Sequence, residues 1–212
     1  MRIKKSSVIC LIGTDGSGKS TLVKELTERY KTLFNADIEN IYFGWKPFLP
    51  TTKLISLLLK KRDYKIAESM NKKENVFSFF QEVLFFYYYT EYLARYFFKI
   101  GRNFYKKKII IVDRYFYDVY AHYDYAKKSK LFKILIKSFP APDYVFFLDV
   151  DINTAKQRKP EIDINLLEAH RKNYSELSEI MNFKKIDTTK SIQECADEIV
   201  NSTKDIISMR IK

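Results

Sequence analysis

Glycine, proline and cysteine are scarce in this sequence. Its 212 residues include 5 Gly, 5 Pro and 2 Cys, a composition that excludes collagen-like chains, low-complexity chains and disulfide-rich scaffolds. Cys10 and Cys195 lie far apart and do not have the spacing of metal ligands, which favours a reducing, cytoplasmic location. Because glycine is so rare here, a cluster of glycines indicates a particular requirement of the backbone.

Long uncharged hydrophobic runs are also missing. The apolar run 8–12 is too short for the hydrophobic part of a signal peptide. The most aromatic stretch, 76–100, is interrupted by charged residues such as Glu82, Glu91 and Arg95, whereas a membrane-spanning helix needs roughly 20 mostly apolar residues. We therefore expect no membrane span and predict that this stretch is a helix buried on several faces.

Positive charge outweighs negative charge. Lys and Arg number 38, Asp and Glu number 26, and the net charge is +12. Such a surface attracts nucleic acids, anionic membranes or phosphorylated small molecules. The basic residues occur in short runs such as 106–108 and form no long basic tail, which argues against a nucleic-acid partner. An enzyme that handles phosphates would benefit from the same positive field.

Five short apolar runs alternate with segments of helical periodicity. The predicted strands are 8–12, 40–43, 109–112, 144–148 and 183–186. The predicted helices are 21–33, 52–60, 74–104, 115–128, 131–138, 152–158, 164–181 and 192–208. This order predicts a three-layer α/β fold in which helices flank a parallel five-stranded sheet, formed by residues 1–212 as one domain. Ligands of such folds bind at the carboxyl ends of the strands.

Three of the five glycines fall in one motif. The sequence GTDGSGKS at 13–20 matches the pattern G-x-x-x-x-G-K-[ST], between the first predicted strand and a helix. Its glycines let the backbone wrap around a phosphate, and the helix N-terminus attracts negative charge. We expect Lys19 to reach the β- and γ-phosphates and the Ser20 hydroxyl to bind Mg²⁺. The motif therefore predicts a P-loop NTPase fold that binds ATP with magnesium through Gly13, Asp15, Gly16, Ser17, Gly18, Lys19, Ser20 and Thr21.

Charged residues also follow the third and fourth predicted strands. Asp113 could bind Mg²⁺ through water or orient an acceptor, and Arg114 could hold a phosphate with two parallel hydrogen bonds. Helix capping by Asp113 is the simpler alternative and stays open. A short charged segment near 157–164 carries Arg158 between two predicted helices. It is either a lid that closes over ATP or a solvated loop.

These motifs, in this order, resemble the thymidylate kinase family of P-loop nucleoside monophosphate kinases. The resemblance is carried by DGSGKS at 15–20, DRY at 113–115 and PDYVFFLDVD at 142–151, and it covers nearly the whole chain. It implies a kinase that transfers the γ-phosphoryl group of ATP to a small acceptor, dTMP or another nucleoside monophosphate. The catalytic residues that it implies are Lys19, Asp113, Arg114 and Arg158, with magnesium bound by Ser20 and Asp113. Three further residues resemble the helix after the family's lid: Glu168, Arg171 and Tyr174.

The acceptor side departs from the family pattern. An Arg-Glu-Pro-Gly-Gly type segment usually follows the second strand, but this chain has FGWKP at 43–47. The family's base-reading arginine also has no clear counterpart in 87–95. Lys46 could replace the missing arginine of the 43–47 segment as a point charge. The acceptor-binding residues that we expect are Asp15, Lys46, Tyr92, Arg95, Arg114 and Tyr115.

Two alternatives stay open at the level of sequence. The altered 43–47 segment and the aromatic helix leave room for a P-loop kinase that acts on a sugar or glycan-type acceptor in cell-surface polysaccharide synthesis. The basic charge leaves room for an ATP-regulated module that binds nucleic acid. The partner expected first is a small-molecule phosphoryl acceptor, and the sequence leaves a homodimer open.

Overall fold

The computed structural model describes residues 6–44 and 74–211, without the side chains of 74–80 and 211. The predicted helix 52–60 and the predicted acceptor residue Lys46 lie outside the described residues.

The centre of the fold is a parallel sheet of five strands. Its strands are β1 (Ser7–Ile12), β2 (Ile38–Tyr42), β3 (Ile109–Asp113), β4 (Tyr144–Asp149) and β5 (Lys184–Asp187). The strand order is β2-β3-β1-β4-β5, and all four neighbouring pairs are parallel. Tyr42 and Leu11 are both paired with Asp113, so the carboxyl ends of β1, β2 and β3 meet at one edge. The predicted α/β fold is confirmed.

Helices cover both faces of this sheet. They are α1 (Lys19–Phe34), α2 (Glu74–Lys99), α3 (Asp118–His122), α4 (Asp124–Lys128), α5 (Lys130–Ser138), α6 (Ile152–Arg158), α7 (Ile164–Ile180) and α8 (Ile192–Ile211). Successive strand residues point to opposite faces. Cys10 and Val112 belong to an apolar cluster with α2, α3 and α5, whereas Ile9 and Ile111 belong to a second cluster with α1 and α8. The predicted three-layer arrangement follows from this alternation.

Two predicted helices differ from the observed ones. Helix α2 ends at Lys99 rather than at 104, because Gly101 is a weak helix former and the Asn103 amide donates to the carbonyl of Lys99 at 3.1 Å. The prediction of one helix over 115–128 is wrong. The observed helix begins only at Asp118 and is interrupted at Tyr123, whose backbone is extended. The shorter helices α3 and α4 result from that interruption.

The aromatic helix α2 buries one face of its described part. Phe85, Tyr92 and Tyr96 lie in the apolar cluster, whereas Val83 and Phe97 are more than half exposed. The expectation that this helix is buried on several faces is therefore wrong for those residues. No helix within 6–44 and 74–211 is long and apolar enough to cross a membrane.

Candidate active site

The glycine-rich loop between β1 and α1 has the backbone that its sequence predicts. Gly16 and Gly18 have φ angles of 82° and 84°, a region that favours glycine. A Cβ atom on Gly16 would also lie 2.7 Å from the carbonyl oxygen of Ala155 in α6. Glycine at this position therefore permits both the curvature of the loop and the close approach of α6 to it.

Lys19 lies inside this loop at the start of α1. Its side chain is buried, and its ammonium group donates to the carbonyl oxygens of Gly13 at 2.9 Å and Thr14 at 2.6 Å. Burial, together with the positive charge of Arg114, lowers the pKa of Lys19 from 10.5 to about 8. The ammonium group is therefore still mainly protonated at neutral pH, although part of its hydration has been replaced by backbone carbonyls.

Ser20 and Asp113 form a small group of oxygen atoms beside Lys19. The Ser20 hydroxyl donates to Oδ2 of Asp113 at 3.4 Å, and Oδ1 of Asp113 is buried without a hydrogen-bond partner among the described residues. Burial raises the pKa of Asp113, against the opposing effect of Lys19. Mg²⁺ prefers hydroxyl and carboxylate oxygens of this kind and keeps part of its water shell. The unpartnered oxygen and the adjacent hydroxyl therefore fit a magnesium ion that arrives with a nucleotide.

Arg114 follows β3 in a conformation that is uncommon for an arginine. Its φ angle is 68°, and its backbone N–H donates to the carbonyl oxygen of Leu11 at 3.0 Å. One terminal nitrogen of its guanidinium contacts Asp15 of the loop, and the other lies 3.2 Å from Oδ2 of Asp118. Burial lowers the pKa of Arg114, but the carboxylates of Asp118 and Asp15 outweigh that effect and raise it overall. Arg114 thus joins the phosphate loop to α3.

A cavity of about 220 Å³ opens beside the guanidinium of Arg114. The described residues that line it are Tyr42, Tyr88, Tyr92, Arg114, Asp118, Val119, His122 and Tyr123. Aromatic walls with a few converging polar groups are typical of a site for a small molecule that carries a ring. Because the guanidinium is part of the wall, an anionic group of such a molecule has a cation to bind.

Only part of the predicted acceptor set lies at this cavity. Tyr92 and Arg114 line it, and Asp15 contacts Arg114. Tyr115 does not reach the cavity, because its ring is fully buried and its hydroxyl donates to the carbonyl oxygen of Pro140.

Arg95 is not among the described residues that line the cavity. It is 2% exposed and donates to the carbonyl oxygen of Gly44 at 2.7 Å, while Glu91 lies 3.7 Å from its guanidinium. Its guanidinium also lies 5.0 Å from the ring centre of Tyr92, within the range of a cation–π contact. In this structure Arg95 holds the backbone after β2 and supports a wall of the cavity through Tyr92.

Several cavity residues were missed by the sequence reasoning. Asp118 and His122 follow Arg114 at intervals of four residues, and His122 is one of only two histidines. Its ring lies 4.2 Å from that of His170, the other histidine, whose pKa is lowered to about 4 by burial and by His122. The four-residue spacing was therefore a usable signal for a polar helix face beside Arg114.

Arg158 lies over the phosphate loop. It is exposed at the end of α6, and its guanidinium donates to the carbonyl oxygen of Gly16 at 3.0 Å. The segment 159–163 follows it, and Asp163 caps α7 by accepting from the backbone N–H of Asn165 at 2.8 Å. The structure thus brings the arginine of the predicted lid to the same loop that contains Lys19.

A second polar network lies at the ends of β4 and β5. Asp149 accepts two hydrogen bonds from Arg171 of α7, at 2.6 and 3.0 Å, and pairs with Lys185 at 2.8 Å. The backbone N–H and hydroxyl of Thr188 both donate to the carbonyl oxygen of Asp149 at 2.8 Å. Burial opposes ionisation of Asp149, but Arg171 and Lys185 outweigh it and hold its pKa below the ordinary value. This network fixes α7 against the sheet edge.

Comparison with known proteins identifies the family. The family model described as thymidylate kinase matches residues 12–206. The chain belongs to the thymidylate kinase family. It is similar to the probable thymidylate kinase of Sulfurisphaera tokodaii, with 29% identity over 203 residues that cover 89% of this chain and 90% of the relative. It is also similar to the thymidylate kinase of Leptospira borgpetersenii, with 29% identity over 166 residues that cover 74% and 70%.

Membership of the thymidylate kinase family confirms the predicted enzyme class. The chain is a phosphotransferase of the nucleoside monophosphate kinase type, and it uses nucleotide and other small-molecule substrates. A further relative, the probable thymidylate kinase of Metallosphaera sedula, is 25% identical over 207 residues, or 89% of this chain and 87% of the relative. Nothing in the comparisons favours the sugar-acceptor or the nucleic-acid alternative.

Proposed function

We propose that this enzyme transfers the γ-phosphoryl group of ATP, bound with Mg²⁺, to dTMP. The observation that carries the proposal is the position of Arg114, which lines the aromatic cavity and contacts Asp15 of the phosphate loop. A monophosphate bound to this guanidinium would lie beside the terminal phosphate of a nucleotide in the loop. The similar proteins named thymidylate kinases support dTMP as the first acceptor.

On the donor side, the loop supplies backbone N–H groups, and Lys19 supplies a positive charge. On nucleotide binding, the ammonium group would exchange the carbonyl oxygens of Gly13 and Thr14 for oxygens of the β- and γ-phosphates. Ser20 and Asp113 would hold magnesium, which would neutralise charge on the same phosphates. Phosphoryl transfer requires little covalent chemistry from the protein, so these groups act by position and charge.

On the acceptor side, the cavity would take the base and sugar while Arg114 binds the phosphate. The tyrosine rings of the wall, Tyr42 and Tyr88 among them, offer faces and edges for a flat ring. Arg114 suits a phosphate because its planar guanidinium can donate two parallel hydrogen bonds. The bound acceptor would then be held at both ends, which restricts its orientation toward the phosphate loop.

The lid belongs to the proposal as well. Residues 157–164 would act as a short lid within one kinase domain that spans residues 1–212. The exposed guanidinium of Arg158 already lies at the carbonyl oxygen of Gly16. Exchange of that carbonyl for the transferring phosphoryl group would place a cation on the developing charge. We also propose a cytoplasmic location, supported by Cys10 and Cys195, which are buried and not joined in a disulfide.

A panel of acceptors tests the function. ADP release is measured with ATP, Mg²⁺ and, in turn, dTMP, dUMP, other nucleoside monophosphates and sugar phosphates. We expect dTMP to increase the rate most, and Lys19→Ala to abolish that increase. Stimulation by a sugar phosphate but by no nucleotide would overturn the nucleotide assignment.

A further inference from the structure

Tyr174 of α7 is a buried tyrosine whose hydroxyl has a charged partner. Its side chain is fully buried, and its ring is stacked on Phe147 of β4 at 6.0 Å and 22°. The hydroxyl donates to Oδ1 of Asp118 at 2.7 Å. Because the ring is held between the sheet and α3, the hydroxyl has a fixed position. This hydrogen bond joins the helix after the lid to the helix after β3.

Asp118 contacts both Tyr174 and Arg114. It is 4% exposed, and its second oxygen, Oδ2, lies 3.2 Å from a terminal nitrogen of Arg114. One carboxylate oxygen therefore holds the guanidinium while the other is held by Tyr174. A buried carboxylate with two such donors is fixed in orientation, since losing either donor would leave an uncompensated buried group.

The two carboxylates that bracket Arg114 differ in exposure. The side chain of Asp15 is 38% exposed and that of Asp118 only 5%. A phosphate that approaches the terminal nitrogen facing Asp15 would compete with that carboxylate, and Asp15 can return to water at low cost. Asp118 has no such alternative and is held by the Tyr174 hydroxyl. Asp15 is thus the exchangeable counterion of Arg114, and Asp118 is the fixed one.

We propose that Tyr174 and Asp118 are positioning residues for the acceptor arginine. They fix the guanidinium of Arg114 so that the nitrogen now bound to Asp15 faces an incoming acceptor phosphate. The same chain of contacts, from Tyr174 through Asp118 and Arg114 to Asp15, couples α7 to the phosphate loop. The inference rests on the proposed function, because it takes Arg114 as the residue that binds the acceptor phosphate.

Kinetics of Tyr174→Phe test the positioning role. This variant keeps the stacked ring and removes only the hydroxyl. We expect the KM for dTMP to rise about fivefold to tenfold, the size of the net contribution of one ordinary hydrogen bond, because Tyr174 acts on the phosphate only through Asp118 and Arg114. The kcat and the KM for ATP should change less than twofold. Tyr30→Phe is the matched control, since its buried hydroxyl bonds Thr203 at 2.7 Å in the other apolar cluster. It should leave all three constants unchanged.

A double-mutant cycle tests the same chain of contacts without an acceptor. Unfolding by urea is compared for Tyr174→Phe, Asp15→Asn and the double variant. Tyr174 and Asp15 are linked only through Asp118 and Arg114 in the contacts described, so we expect Asp15→Asn to shift the midpoint less in the Tyr174→Phe background. The pair Tyr30→Phe and Asp15→Asn should be additive, as distant sites usually are.

The two experiments separate this inference from the proposed function. If the wild type does not phosphorylate dTMP but the cycle is non-additive, the dTMP assignment fails and the chain of contacts is supported. If the wild type is active while Tyr174→Phe leaves the KM for dTMP unchanged, the positioning role is refuted. An equal rise in the KM for ATP, or an additive cycle, also overturns the inference.

Discussion

At the scale of single residues, the site contains groups held in unfavourable states. Arg114 keeps a φ angle of 68°, which costs about 1–3 kcal/mol for a residue other than glycine. Lys19 carries a buried charge, and Asp113 has a buried oxygen with no hydrogen-bond partner in the described part of the chain. Such states persist where the surrounding structure imposes them, and they cluster at functional sites. The three residues were predicted from motifs, but their strain and burial could not be predicted from the sequence.

Lys19 gives a prediction about pH. Its pKa of about 8 in the nucleotide-free protein lies below its ordinary value, and bound phosphates will raise it. Below about 8 the lysine is already protonated, so affinity for ATP should be constant. As pH rises above about 8, binding must take up a proton, and affinity should fall. Calorimetric titration in two buffers of different ionisation enthalpy measures both the affinity for ATP and the number of protons taken up on binding. Constant affinity across this range, without proton uptake, would contradict the assignment of Lys19.

At the scale of secondary-structure elements, α6 determines how the lid arginine meets the phosphate loop. The helix approaches the loop closely, because Gly16 has no Cβ where the carbonyl oxygen of Ala155 lies. Its last residue, Arg158, then reaches the loop. A three-residue apolar cluster of Val150, Ala155 and Leu167 joins α6 to α7. Movement of the proposed lid would therefore involve α6 and α7 together.

Replacement of Arg158 tests the role of this element. We expect Arg158→Ala to lower kcat about 100-fold, the usual effect of removing one donor to a transition state, with little change in the KM for ATP. Lys159→Ala is the matched control. Lys159 is the next residue along the chain, and its side chain is about half exposed and pairs with Glu161. An equal loss of activity in both variants would contradict a specific role of Arg158, because it would show that any positive charge in this segment has the same effect.

The elements differ in how well the sequence predicts them. All five strands were predicted within two residues of either end, because each contains at least one apolar residue that is buried against a helical layer. The helix 115–128 was not predicted correctly, since no glycine or proline in the sequence marks the break at Tyr123. Arg95 was expected at the acceptor, but the backbone carbonyl that it binds lies 51 residues away in the sequence.

At the scale of the whole molecule, the strand order places the phosphate loop, proposed as the donor half of the site, beside the aromatic cavity, proposed as the acceptor half. β1 carries the phosphate loop and lies between β3, with Asp113, and β4, with Asp149. Sequence patterns predicted that these strand ends share one edge of the sheet. They did not predict the cavity, because its walls come from β2, α2 and α3, which meet only in the folded chain. The proposed donor side was therefore readable from one motif, whereas only Tyr92 and Arg114 of the cavity lining were among the predicted acceptor residues.

The central claim is that these two halves form one site for phosphoryl transfer. The most direct test incubates the protein with Mg²⁺, dTMP and ATP labelled in its γ-phosphoryl group, and then separates the products. We predict that the label appears in dTDP, and that Arg114→Ala prevents this while ATP still binds. Label that appears only in inorganic phosphate, with dTMP unchanged, would contradict the account.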